Sequence, residues 1–241
     1  MNDLSLLGFG SNGWGDQLVA GLLNTILLAI AALPLAIILS FLVYWARVSS
    51  FRTLRFVADG YSIVFKSMPE ILTLLILYYQ VQAILNWMGR FFISNASISI
   101  SPFVAGLIAL SLVISAYGAE VIRASVNSIG KGQFEAAAAL GLSSRRAFQK
   151  VILPQLWRHA LPGFGSLWII LLKDTSLVSV IALNDLTHAA SVAIASTRQP
   201  FLFYFSISTI YVGLVTISSL AQHLLERRAS RGFVITRGSH A

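Results

Sequence analysis

Apolar residues in this chain run together in long blocks, instead of recurring at the three-to-four spacing of a surface helix or alternating as in a half-buried strand. Five blocks each hold enough mostly apolar sequence, roughly 20 residues, to cross about 30 Å of hydrocarbon as a helix. They lie at about 18 to 46, 56 to 86, 102 to 126, 162 to 185 and 201 to 225. The pattern predicts an all-α, polytopic membrane protein of about five transmembrane helices. The second block is too long for one straight span and contains Asp59, Lys66, Pro69 and Glu70. It predicts an interfacial segment that leads into a helix from about residue 70.

Composition agrees with the bilayer as solvent, since 56% of the residues are hydrophobic and 11% charged, against about 25% charged in soluble domains. Cationic residues accumulate in cytoplasmic loops. Arg47, Arg52 and Arg55 follow the first block, Arg123, Lys131, Arg145, Arg146, Lys150 and Arg158 the third, and Arg227, Arg228, Arg231 and Arg237 the fifth. The other side has Arg90 and Arg198 alone, which predicts an external N-terminus and a cytoplasmic C-terminus. This distribution accounts for the net charge of +8, and no basic stripe is interleaved with stacking aromatics, so nucleic acid is excluded as a partner. The first block has no cationic segment before it and exceeds a signal-peptide core, so it reads as an uncleaved helix. The absence of Cys removes disulfides, thiol catalysis and Cys-based metal sites. His159, His188, His223 and His240 lack ligand spacing, so neither a metal site nor a cofactor is expected.

Three regions follow: an external tail over 1–17, a transmembrane domain over 18–228 and a cytoplasmic tail over 229–241. Gly8, Gly10 and Gly13 spell a dinucleotide-binding pattern, but no strand precedes them and no βαβ unit surrounds them. Asn95-Ala96-Ser97 matches a glycosylation sequon by letter only. The cytoplasmic segment 129–160 differs from every other loop. Gln133 to Leu140 is strong helix-forming sequence, Gly141 can end that helix, and Ser143 or Ser144 can cap a second helix that breaks or kinks at Pro154. A connection that only joined two spans would not need such structure.

Within that segment stand Glu135-Ala136-Ala137, then Gly141, then Val151-Ile152-Leu153-Pro154. The spacing resembles the signature of the permease subunits of ATP-binding-cassette importers, with Val151 in place of the usual Ile. Further stretches resemble the polar amino acid branch, and within it the Q-type subunits serving histidine, lysine/arginine/ornithine, octopine and nopaline. They are Lys66-Ser67-Met68-Pro69-Glu70, where the family has an Arg-Gly-x-Pro element, Ala116-Tyr117-Gly118-Ala119-Glu120 with Arg123, and Leu161-Pro162-Gly163 through Lys173-Asp174-Thr175-Ser176-Leu177-Val178-Ser179. The resemblance covers about residues 18 to 228.

It implies a cytoplasmic coupling helix that docks on a nucleotide-binding subunit, with Glu135, Ala136, Ala137, Gly141, Leu153 and Pro154 as coupling residues. It implies four kinds of partner: a second permease subunit, either a copy or a paralogue, a dimer of nucleotide-binding subunits, a periplasmic solute-binding protein, and the lipid of the bacterial inner membrane. The chain has no Gly-x-x-x-x-Gly-Lys-Ser/Thr sequence. ATP hydrolysis therefore falls to a separate subunit, and the chain is a conduit, not an enzyme. The expected activity is translocation of a polar, more readily cationic, amino acid or opine by alternating access.

Charges within spans are costly and need a partner or a task. Asp174 and Lys173 fall near the middle of the fourth block with Thr175, Ser176 and Ser179 beside them, which suits either a substrate path or subunit packing. Glu120 lies three residues before Arg123, so a local ion pair competes with a path role, and Glu70 is a further path candidate. Lys66 reads as an interfacial lysine reaching headgroups. The alternative class is an ion-coupled secondary transporter that uses Glu120 and Asp174 as proton carriers.

Overall fold

The computed structural model describes residues 3–10, 13–92 and 99–229, and the described residues form helices without any strand. A short 3-10 turn, Asp3–Leu7, precedes α1, Gly15–Arg47. Then come α2, Arg52–Ser67, α3, Glu70–Phe92, and α4, Pro102–Asn127. The loop region holds α5, Lys131–Ala139, and α6, Ser144–Ala147, and a π-helical turn, Phe148–Ile152, leads into α7, Leu153–Asp174. A 3-10 segment, Thr175–Ile181, continues α7, and α8, Leu186–Thr197, and α9, Pro200–Ala229, complete the chain. The sequon at 95–97 and the tail beyond 229 lie outside the described residues.

Four helical stretches are long and apolar enough to cross a membrane among the described residues: α1, α4, Ser144–Ile181 and α9. The fifth expected span is the pair α2 and α3, bent by 114°. Pro69 has no N–H to continue α2, and Met68 before it is extended, so the break falls where proline chemistry puts it.

The centre is the packing of α1 on α4. Leu28, Ala29, Ala32 and Ala36 face Ala105, Ala109, Leu110 and Ile114, all buried in one cluster. Small residues let the two backbones approach, which is how helices gain contact where lipid removes the usual hydrophobic drive. The approach is close at Gly118, where a Cβ would run into the Ser40 hydroxyl. Ser111 Oγ donates to Leu107 O at 2.6 Å and lies 3.2 Å from Ala32 O on α1.

One expectation about the fourth span changes. The helix begins at Leu153, well before Pro162, and passes through that proline. The Pro162 carbonyl accepts from Ser166 Oγ at 3.1 Å and from Gln222 Nε2 of α9 at 3.5 Å, which ties α7 to α9 at this point. At Pro154 the chain also stays helical: the proline stands in the first turn of α7, and the expected kink takes the form of the π-helical turn Phe148–Ile152 just before it.

Helix α8 has no counterpart among the expected elements. Asp185 caps it, accepting from the His188 N–H at 2.9 Å. Its start is tied to α1 by the Leu186 N–H donating to Thr25 Oγ1 at 3.2 Å and by Asn24 Nδ2 donating to Asn184 O at 2.7 Å. Gly21 permits this contact, because a Cβ there would lie 2.7 Å from the Asp185 carbonyl oxygen.

Candidate functional site

The loop between α4 and α7 is a helix, turn and helix. Helix α5 ends at Ala139 with Leu140 as its cap, and Gly141 follows with φ +70°, a left-handed conformation that glycine adopts without a Cβ penalty. The turn is closed by the Gly141 N–H donating to Ala138 O at 2.9 Å and the Leu142 N–H donating to Ala137 O at 3.1 Å. Ala137 is buried, whereas Glu135 and Ala136 face outward. Phe134 and Leu140 are 43% and 78% exposed, so the loop presents apolar surface that this chain does not cover. A concavity of about 330 Å³ beside it is lined by Phe134, Ala138, Leu142, Ala147, Phe148 and Ile152. Leu153 and Pro154 stand in the first turn of α7.

Where α1 and α4 end, Glu120 gathers three cations. Arg47 Nη1 donates to Glu120 Oε1 at 2.7 Å, Lys66 Nζ to the same oxygen at 2.9 Å, and Arg123 Nε to Oε2 at 3.1 Å. Arg47 Nε also donates to Asp59 Oδ1 at 2.8 Å. The local Glu120–Arg123 pair is therefore present within a larger network that joins α1, α2 and α4. Lys66, expected at headgroups, is turned inward to this cluster. Tyr61 fixes α2 further, donating to Leu112 O at 2.9 Å with Ser115 Oγ at 2.6 Å.

A second acidic site lies beyond the α2–α3 bend. Glu70 opens α3, which packs against the 3-10 segment that begins directly after Asp174, so the two carboxyls lie near enough to interact electrostatically. Asp174 is the last residue of α7, at the change from α to 3-10 geometry, and its Oδ2 is buried without a protein donor. Lys173, the neighbour of Asp174 in sequence, is exposed, and residues adjacent on a helix do not face one another. Two adjacent carboxyls in low dielectric call for a shared proton or a cation between them. Thr175 and Ser176 do not supply donors to them. Their hydroxyls turn back to Leu172 O and Lys173 O, each at 2.7 Å.

Of the path candidates, then, Glu70 and Asp174 come together while Glu120 belongs to a separate cluster. Sequence reading missed Asp185, which is fully buried behind α8 with Oδ2 lacking a protein donor. Thr187 and Tyr211 lie near it, the two hydroxyls 3.4 Å apart.

Residues 5–231 match the family described as the binding-protein-dependent transport system inner membrane component. The chain belongs to this family. It is 35% identical to the octopine transport system permease protein of Rhizobium meliloti over 96% of this chain and 98% of that one. To the histidine/lysine/arginine/ornithine transport system permease protein of Escherichia coli it is 33% identical, covering 91% and 96% respectively. A solved amino acid ABC transporter, crystallised with histidines, matches with a TM-score of 0.77 and 32% identity over 89% of this chain and 95% of that chain. The chain is thus a membrane permease subunit of the ABC class, all-helical and not itself catalytic. These similarities give no support to the ion-coupled alternative.

Proposed function

We propose that this permease carries a cationic amino acid or opine and holds it in transit at Glu70 and Asp174. The observation behind this reading is the meeting of those two carboxyls from different helices beside a buried, donor-less oxygen. A passing ammonium or guanidinium would supply the donors and offset the charge, and such charge-assisted hydrogen bonds are the strong ones. The names of the relatives agree, since octopine, histidine, lysine, arginine and ornithine all carry basic nitrogen.

In the same reading the chain sits in the bacterial inner membrane with residues 129–160 and the end of α9 in the cytoplasm. It pairs with a second permease subunit, receives solute from a periplasmic binding protein, and is driven by two nucleotide-binding subunits that hydrolyse ATP. Glu135, Ala136, Ala137 and the Gly141 turn form the docking surface for one of them, with Phe134 and Leu140 supplying apolar contact. Closure of the ATPase dimer would move α5 and open the path outward.

The test is uptake by proteoliposomes holding the assembled transporter. Arginine or lysine should enter when ATP is supplied and the proton gradient is collapsed, and glutamate should not compete. Preferential glutamate uptake would overturn the cationic assignment. Single cysteines replacing Asn95 and Arg145 should be labelled by an impermeant reagent from opposite faces, and labelling from one face would overturn the topology.

A further inference from the structure

Lys66 and Glu70 flank the α2–α3 bend, Lys66 in the last turn of α2 and Glu70 at the start of α3. Each has a different partner. Lys66 Nζ is 2.9 Å from Glu120 Oε1, in the network that also grips Arg47 and Arg123. Glu70 begins the helix that packs on the 3-10 segment following Asp174, which brings it near that carboxyl. The corner between them turns the chain by 114° over Ser67, Met68 and Pro69.

Glu120 and Arg123 sit near the end of α4, and the chain runs from there into α5 through a tight turn. The Ser128 N–H donates to Ala124 O at 3.0 Å and the Ile129 N–H to Val126 O at 3.1 Å. Movement of α5 is therefore passed to the end of α4 with little slack. A helix transmits such a displacement as a rigid rod, whereas the Pro69 corner lacks the hydrogen bond that would stiffen it. On the α3 side of the corner the Pro69 carbonyl accepts from the Thr73 N–H at 3.0 Å and from Thr73 Oγ1 at 3.3 Å, both within the first turn of α3.

We infer that Lys66 is a positioning residue through which movement of the α5 loop separates or reunites Glu70 and Asp174. With Lys66 on Glu120 the corner holds Glu70 near Asp174, as seen here. When the end of α4 shifts, the ion pair draws the corner with it, the two carboxyls part, and a cation held between them loses one of its two anionic ligands. Coupling then follows a contiguous chain of contacts from loop to site. The role of the carboxyls as cation ligands rests on the function proposed above; the mechanical link does not.

The chain contains no Cys, so a spin-label pair at Leu72→Cys and Val180→Cys reports the separation of α3 from the 3-10 segment. Both positions are exposed, at 44% and 52%. In the complete transporter, pulsed EPR should show a distance that changes when non-hydrolysable ATP analogue is added. Lys66→Met should abolish the change, and Lys66→Arg, which keeps the charge on Glu120, should restore it. Substrate-stimulated ATP turnover per recovered complex should fall about tenfold in Lys66→Met, in the usual range of coupling between sites. Should Lys66→Met fail to assemble, Lys66→Gln takes the same measurement. A nucleotide-dependent distance change that persists without the charge at position 66, or none in the Lys66 parent, overturns the inference whatever solute the transporter carries. Loss of cation uptake in Glu70→Gln with the distance change intact leaves the link standing, so the two ideas fail separately.

Discussion

Arg47, the last residue of α1, places Nη1 2.7 Å from Glu120 Oε1 on α4, and the same guanidinium reaches Asp59 on α2. One side chain thus holds three helices, and Arg47 is 17% exposed. The fork geometry of arginine suits two separate carboxylates, which a lysine ammonium would serve less well. Because Glu120 answers three cations, its loss leaves them facing each other. Glu120→Gln should therefore destabilise the permease by about 2 kcal/mol, the scale of a hydrogen bond to a charged group, and by more than Arg47→Met, which leaves Lys66 and Arg123 on the carboxylate. Thermal inactivation midpoints in detergent check the order, and a milder effect for Glu120→Gln would contradict it.

Gly141 faces open space where a Cβ would stand, so its requirement is conformational and not steric. Asn adopts the left-handed region more readily than β-branched residues do. Gly141→Asn should keep most of the association with the ATPase subunit, while Gly141→Val should lose about 1–2 kcal/mol of loop stability and with it most of that association. Co-purification of the two subunits distinguishes these outcomes, and equal behaviour of the two variants would show that the turn does not matter.

Gly118 is limited by contact instead. Gly118→Ala should cost about 1–3 kcal/mol through overpacking against Ser40, and Ser40→Gly in the same chain should recover part of the loss. A double-mutant cycle on thermal stability gives the coupling, and additive effects would refute the close approach of α1 and α4 at this point.

Much of this architecture was readable before the fold. The α1, α4 and α9 spans follow from uninterrupted apolar sequence, the bend at Pro69 from proline and the charges around it, and the α5 turn from the Ala run ended by Gly141. Helix α8 was missed because residues 186–197 are too short to span, and Asp185 followed by Leu186 and Thr187 is a capping signal that hydropathy alone does not register. The helix of the fourth span extends well before the apolar run because residues 153–161, which carry Arg158 and His159, continue the helix without the apolar character that marks a span. Neither the convergence on Glu120 nor the meeting of Glu70 and Asp174 leaves a local trace. Both join residues far apart in sequence, and only Arg123 lies within a helical turn of its partner.

The most direct measurement is uptake of a cationic amino acid by the assembled transporter with its binding protein saturated, comparing the parent with Asp174→Asn and Glu70→Gln. Amides keep the shape and remove the charge, so the account expects uptake to fall about tenfold or more in each, with subunit assembly and basal ATPase activity retained. Undiminished cationic uptake in both variants, with assembly and ATPase activity also normal, would assign Glu70 and Asp174 to the scaffold and contradict the site.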